Sequence, residues 1–132
     1  MKDEPRHSIQ TWHFNFQDNT QGIPRRLAPG ITSRIFPGAN VMLSIVRFEP
    51  NSVGPVHSHP EEQWGVLLEG ECIRIQGGEE VDMRAGDFWH TPGGTPHGIR
   101  VGKGGAMVLD IFSPPRPEYR NAGEGFGNAT IR

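Results

Sequence analysis

Glycine and proline interrupt this chain so often that long helices are excluded. They account for 18 and 12 of the 132 residues. Both are costly inside helices, because glycine loses much backbone entropy on folding and proline lacks the backbone N–H. The longest stretch without either runs from Arg6 to Gln21, and its apolar residues alternate rather than recur at helical spacing. The sequence therefore predicts a small, turn-rich, mostly β domain.

Short apolar segments between these turns predict the strands of the domain. They cover residues 31–36, 40–49, 63–69, 71–76, 79–84, 87–91, 96–101 and 106–112. Trp12, Phe14 and Phe16 alternate with polar residues, which predicts one more strand, at a sheet edge or paired with a second subunit. About eight to ten short strands at this spacing are typical of a sandwich or barrel. We expect an N-terminal extension (1–30), a barrel (31–116) and a C-terminal tail (117–132).

Charge and cysteine content narrow the class of protein. Lys and Arg number 13 against 15 Asp and Glu, giving a formal charge of −2, and neither sign forms a block. Nucleic-acid binding needs a basic surface and is not expected. The single cysteine, Cys72, calls for no oxidising compartment. The first ten residues lack the apolar core of a signal peptide, and no segment has the length and apolarity of a membrane span. We expect a soluble, cytoplasmic protein with no membrane partner.

Three of the six histidines fall where strands would bring them together. His57 and His59 are two residues apart, so they share a face of an extended segment. Gln63 begins the next predicted strand, and His97 follows much later, after a PGGTP turn. A His-x-His pair alone is weak evidence, but two imidazoles joined by a third from another strand form a common transition-metal site.

The spacing around these residues forms two motifs that resemble those of the cupin superfamily. The first runs from His57 to Gly70, with Gln63 where most members have Glu; the second runs from Gly86 to His97. The resemblance implies a single all-β cupin barrel, or jelly roll, over about residues 40–112. It also implies one divalent transition-metal ion (Zn, Ni, Fe or Mn) in the barrel mouth, held by His57, His59, Gln63 and His97. Because a glutamine oxygen is neutral, such a site keeps its full charge and favours Lewis-acid chemistry.

A second cluster of interest lies at the end of the last predicted strand. Asp110 and Phe112 share a face, so an acid stands in an otherwise apolar strand, and Arg116 follows closely. A charge at such a position is either paired or functional. The two interpretations are a salt bridge, to Arg116 or Arg100, and a general acid/base at Asp110 with Arg116 as a carboxylate clamp.

The combined motifs, HSHPEEQ, LLEG, PHG and DIFSPPR, resemble the pectin-degradation cupins, which linearise 4,5-unsaturated uronates. The resemblance implies a metal set of three His and one Gln, and active-site roles for Asp110, Phe112 and Arg116. The expected function is ring opening and ketonisation of a small anionic sugar derivative by Lewis-acid and proton-transfer chemistry.

Two alternative functions would use the same metal site. One alternative is an Fe(II) dioxygenase; the other is a non-catalytic, metal-assisted binder or sensor of small molecules.

Glu61 and Glu62 are expected to face solvent, although either could replace Gln63 as a ligand. A homodimer is expected, because small barrels leave an exposed sheet edge that a second subunit can cover.

Overall fold

The computed structural model describes residues 12–127 and 129–131, and within them it is built almost entirely of β-strands. The strands are β1 (Ile23–Ala28), β2 (Ile31–Pro37), β3 (Met42–Phe48), β4 (Val53–Ser58), β5 (Glu62–Gln76), β6 (Glu79–Arg84), β7 (Phe88–Thr91), β8 (His97–Ser113), β9 (Gly123–Glu124) and β10 (Thr130–Ile131). A short 3-10 helix, Pro117–Arg120, follows β8. None of the described residues forms a helix long and apolar enough to cross a bilayer.

The long strand β8 organises the sheet, because it pairs with β3, β4 and β5. On one side the order continues through β3 and β2 to β1 and β9; on the other, β4 carries β10, while β5 carries β6 and β7. The inward faces close over an apolar interior. Its most buried members are Ile31, Ile35, Met42, Val46, Leu67, Val108 and Phe112. The structure confirms the predicted all-β barrel class.

Gly70 shows how the glycines shape this barrel. It lies inside β5, where the ladder to β8 shifts register. Its φ of +87° is a conformation that side chains with a Cβ rarely adopt, and an added Cβ would lie 2.2 Å from the Gly105 carbonyl oxygen. The close approach lets β5 and β8 run as continuous strands through a bulge, where the sequence predicted two separate strands in each.

The first thirty residues and the tail differ most from expectation. Residues 1–11 lie outside the described part. The predicted strand at Trp12–Phe16 is wrong: this segment is irregular, and Phe14 packs on Phe36 with ring centroids 4.9 Å apart. The strand of this region is β1, which pairs with β2 in the same sheet. The tail adds β9 along β1 and β10 along β4, so both strands contribute to the sheet.

Candidate functional site

Three histidines from two elements meet at one end of the barrel. His57 near the end of β4 pairs in register with His97 at the start of β8, and His59 lies one residue beyond β4. One ring nitrogen from each lies within 4.8 Å of the others, and all three side chains are buried. The sheet register therefore brings together the three histidines that the spacing had singled out.

Backbone carbonyls fix the orientation of each imidazole ring. The Nδ1 atoms of His57 and His97 lie 2.9 Å from the carbonyl oxygens two residues earlier, and that of His59 lies 3.2 Å from the Glu61 carbonyl. An Nδ1–H that donates to a carbonyl leaves Nε2 as a lone pair, the form that binds a metal. All three rings thus present lone pairs to the shared space.

The electrostatics of this cluster favour neutral histidines. Burial lowers the pKa of all three: that of His59 falls to about 4, and that of His97 to about 2. The His97 Nε2 is buried and has no hydrogen-bond partner in the described structure. An unpaired buried lone pair is costly. A cation bound there would remove that cost.

Gln63, at the start of β5, completes the cluster. Its Oε1 lies 2.9 Å from the Nε2 of His59, and its Nε2 donates to Asp110 Oδ1 over 3.0 Å. When the His59 Nδ1–H donates to a carbonyl, the Gln63 Oε1 and the His59 Nε2 face each other, and each presents a lone pair. In this tautomer a cation beside the two acceptors would stabilise them, whereas in the other tautomer the His59 Nε2–H donates to Gln63 Oε1. The donor set, three imidazole nitrogens and an amide oxygen, fits a divalent transition metal.

Glu61 and Glu62 have opposite environments, so the expectation that both face solvent is wrong for Glu61. Glu62 is half exposed and pairs with His90 at 2.5 Å. Glu61 is 7 % exposed; one of its carboxylate oxygens lies 3.5 Å from His59 Nδ1 and 3.7 Å from Arg116 Nε. Its side chain therefore lies behind the cluster, where it neutralises a buried guanidinium and lies against His59.

Asp110 stands in the cavity beside Gln63, on the part of β8 that pairs with β5. Burial raises the pKa of its carboxyl to about 6, against the opposing effects of Arg74, the Gln63 hydrogen bond and Arg116. Arg100, one of the salt-bridge partners considered from sequence, instead pairs with Glu80 at 2.6 Å. Asp110 is therefore a carboxyl whose pKa lies close to neutral pH, and only the Gln63 amide separates it from the histidine cluster.

Phe112 and Arg116 form an aromatic and cationic wall of the same cavity. The Phe112 ring meets the His59 ring edge-on at 5.7 Å between centroids, and the Arg116 guanidinium lies 4.2 Å from the Tyr119 ring centroid. Arg116 Nη2 also donates to the Phe126 carbonyl in the tail. The guanidinium predicted as a clamp is therefore engaged by the tail and by Glu61.

The tail lies over the mouth of the cavity, a position that the sequence did not predict. The Phe126 ring lies 4.4 Å from the His57 ring between centroids, and β10 pairs with β4 beside His57. Arg25 holds the tail through the carbonyls of Gly125, Glu118 and Glu124. The cavity behind the tail is partly open and measures about 50 Å³, which is room for a few water molecules. No local sequence signal links residue 126 to residue 57.

Arg74 on β5 is a further cavity residue that the sequence analysis did not select. It is 6 % exposed and lines the cavity with Asp110 and the histidines. The sequence carried one sign of this position. Cys72, Arg74 and Gln76 alternate along a predicted strand, and all three side chains point inward. A charged residue at an inward strand position is the same pattern that singled out Asp110.

The fold and site define a cupin, and the family comparison agrees: residues 44–112 match the Cupin domain model, so the chain belongs to this family. It is similar to oxalate decarboxylase of Bacillus subtilis, with 26 % identity over 80 % of this chain and 29 % of that protein. It is also similar to the pectin degradation protein KdgF of Dickeya dadantii, with 25 % identity over 70 % of this chain and 86 % of that protein.

Solved structures give the same picture of the fold. KdgF from Halomonas sp. superposes with a TM-score of 0.72 at 26 % identity, over 83 % of this chain and 98 % of that one. An RmlC-like cupin from Shewanella frigidimarina gives 0.72 at 25 % identity, over 83 % and 97 %. The predicted resemblance to pectin-degradation cupins is confirmed. The chain spans less than a third of the oxalate decarboxylase it matches.

The buried pair of Glu61 and Arg116 supports a stability prediction. Replacing Glu61 by Gln leaves a buried guanidinium without its counter-charge, and losing one partner of such a pair costs about 3 kcal/mol or more. We expect urea unfolding of the metal-free protein, in the presence of a chelator, to show that loss of unfolding free energy for Glu61→Gln. The half-exposed neighbour gives the control: Glu62→Gln should change stability by less than about 0.5 kcal/mol. Equal effects of the two variants would contradict the pairing.

Proposed function

We propose that this protein is a metal-dependent cupin enzyme that opens and ketonises a small carboxylated sugar derivative, a 4,5-unsaturated uronate. The observation that carries the proposal is the Gln63 amide, which joins the histidine cluster to Asp110 through its two ends. A Lewis-acid site and a carboxyl with a pKa near 6 then stand within one side chain of each other. The likeness to KdgF supports the substrate class.

His57, His59, His97 and Gln63 would hold one divalent ion, with Zn, Ni, Fe and Mn as candidates. When bound, the ion would supply Lewis acidity toward substrate oxygens, undiminished by any charged ligand. Gln63 has a second task, because its N–H bond to Asp110 fixes both the amide and the carboxylate. The same hydrogen bond favours the ionised carboxyl, which is the form needed to accept a proton.

Asp110 would move the proton of the isomerisation. In ring opening it would accept the proton of the hemiacetal hydroxyl and return it to the ring oxygen as the ring C–O bond breaks, which gives an aldehyde and an enol. In ketonisation a proton is delivered to the alkene carbon and the enol proton is released, so the reaction neither gains nor loses atoms. A carboxyl with a pKa close to the working pH suits both directions of transfer.

Phe112 and Arg116 are proposed to shape the substrate site. Phe112, buried against His59, limits the space beside the metal ligands. Arg116 is the predicted carboxylate clamp, and it lines the cavity. Since its guanidinium also bonds the Phe126 carbonyl, a substrate contact at Arg116 and the position of the tail would be coupled.

The test of this function is the absorbance of the conjugated double bond in the monosaccharide products of pectin and alginate lyases. Metal-loaded protein should speed the loss of that absorbance well beyond the spontaneous rate, and it should do so without oxygen. A rate equal to the spontaneous one would refute the proposal. Activity that requires oxygen would instead point to the dioxygenase alternative.

A second candidate is turnover of a very small acid, and the cavity volume favours it. A cavity of about 50 Å³ with Phe126 over its mouth favours a carboxylate of two carbons over a hexuronate ring. The similarity to oxalate decarboxylase is consistent with such a substrate. If the uronate is the substrate, the tail must shift, and Phe126→Ala should lower the KM for the uronate severalfold. If oxalate is the substrate, the protein should release carbon dioxide from it, and Phe126→Ala should leave that KM unchanged.

We also propose that the protein is a homodimer, paired through the outer face of the barrel. Trp64 and Phe88 are 43 % and 66 % exposed there, and Leu43 and Ile111 extend the apolar surface across the sheet. Light scattering should give twice the chain mass of 14.6 kDa. Trp64→Glu should halve it, whereas Val53→Glu, at another exposed apolar side chain, should not. A monomeric wild-type protein would exclude this proposal.

A further inference from the structure

Arg74 is a buried guanidinium without a carboxylate partner within 4.0 Å among the described residues. The described arginines Arg100 and Arg116 each have one, at 2.6 Å from Glu80 and 3.7 Å from Glu61. Arg25, also buried, is satisfied by three backbone carbonyls. Arg74 has only neutral acceptors, although it is among the most buried charged side chains of the protein.

Those neutral acceptors hold the guanidinium in one position. Its Nη2 donates to Thr91 Oγ1 over 2.8 Å, and its Nε donates to Gln76 Oε1 over 3.3 Å. Thr91 in turn donates to the same Gln76 oxygen over 2.6 Å. The central guanidinium carbon, Cζ, lies 5.2 Å from the Trp89 ring centroid. The Nη1 group takes part in none of these bonds, and so remains available to a ligand.

The charge of the cavity points to an anionic ligand. Arg74 and Asp110 are opposite charges in one space, and each moves the pKa of the other toward its ionised form. Arg116 is balanced by Glu61. A divalent ion held by neutral histidines and a neutral glutamine would add two positive charges with nothing to offset them. Burial lowers the pKa of Arg74 to about 10, so it stays charged at neutral pH.

We propose that Arg74 is the residue that binds the acid group of the ligand, through N–H donors held ready by Thr91 and Gln76. A guanidinium fixed in this way loses little freedom on binding, and its bonds to a carboxylate are charge-assisted. The assignment differs from the predicted clamp at Arg116, whose charge is already paired. It rests on the proposed function only for the identity of the substrate, because any small carboxylate would be bound in the same way.

The test is calorimetric titration of the nickel-loaded protein with acetate, which is small enough for the cavity. We expect Arg74→Gln to raise the Kd for acetate tenfold or more, because the loss of a hydrogen bond to a charged group weakens binding by at least about that factor. Arg84→Gln, the same charge change at an exposed arginine, should leave binding as in the wild type. Acetamide, the neutral analogue, should bind no better to the wild type than to Arg74→Gln. Unchanged acetate binding in Arg74→Gln, or no acetate binding by the wild type, would overturn the proposal.

A second variant covers the case in which Arg74→Gln does not fold. Arg74→Lys keeps the charge but loses the planar fork, and we expect it to bind acetate severalfold more weakly than the wild type with equal nickel content. Wild-type affinity in Arg74→Lys would count against a fork-shaped contact. The proposed function can fail independently of this contact. If the wild-type protein does not turn over the uronate but its acetate binding depends on Arg74, the proposed reaction is refuted and the ligand contact stands.

Discussion

Asp110→Asn is expected to lower kcat for the unsaturated uronate by about 10²–10⁴-fold, the usual contribution of a positioned general acid/base. The change keeps the size of the side chain and an oxygen that can accept the Gln63 N–H, but removes the group that takes and returns the proton. The rate of absorbance loss at saturating substrate, corrected for the spontaneous reaction, measures the effect.

The control for this variant separates proton transfer from site assembly. Asp110→Asn should keep the wild-type metal content, because Asp110 is not among the proposed ligands. Asp82→Asn, at an exposed carboxylate on β6, should keep both metal content and rate. A rate close to wild type in Asp110→Asn would remove Asp110 from the mechanism. Loss of metal together with rate would show instead that Asp110 acts by holding Gln63.

The sequence predicted the body of the barrel because its strands carry their information locally. The central strand β3 is apolar on both faces, and the 79–84 segment follows a Gly-Gly turn, so neither needs distant partners to be recognised. The strand β1 was missed for the opposite reason. Its inward residue is Arg25, whose charge is satisfied by tail carbonyls about a hundred residues later. The alternating Trp12–Phe16 segment is instead held by side-chain contacts with the sheet, since Phe14 packs on Phe36 and the Phe16 carbonyl accepts a hydrogen bond from Arg47.

The residues of the candidate site show the same contrast between local and long-range information. The spacing of His57, His59 and His97 is a local pattern, and the structure brings the three together. The strand alternation marks Arg74 as inward-facing, but the partners of Glu61 and Arg74, Arg116 and Thr91 respectively, lie far along the chain, so local spacing does not reveal their roles. Polar residues on buried strand faces are ambiguous in sequence, because the group that satisfies them is set by topology.

Removing His97 is expected to have the largest effect on the metal site. His97→Ala deletes one of the three proposed imidazole ligands, and a loss of at least about 100-fold in metal affinity should follow, since even the loss of a residue that only supports a ligand can reach that size. Competition titration against a chromophoric chelator measures the affinity. Stability provides an independent readout, because an ion at about 100 times its Kd stabilises the folded state by about 2.7 kcal/mol.

A chelator should therefore lower the Tm of the wild-type protein and leave that of His97→Ala almost unchanged. The matched control is His90→Ala, since His90 lies outside the cluster and pairs with exposed Glu62; it should keep both the affinity and the response to the chelator. If His97→Ala bound metal as tightly as the wild type, the ion would have to be held by another set of residues. The buried Nε2 of His97 would then stay without a partner among the described residues, at a cost of about 1–3 kcal/mol.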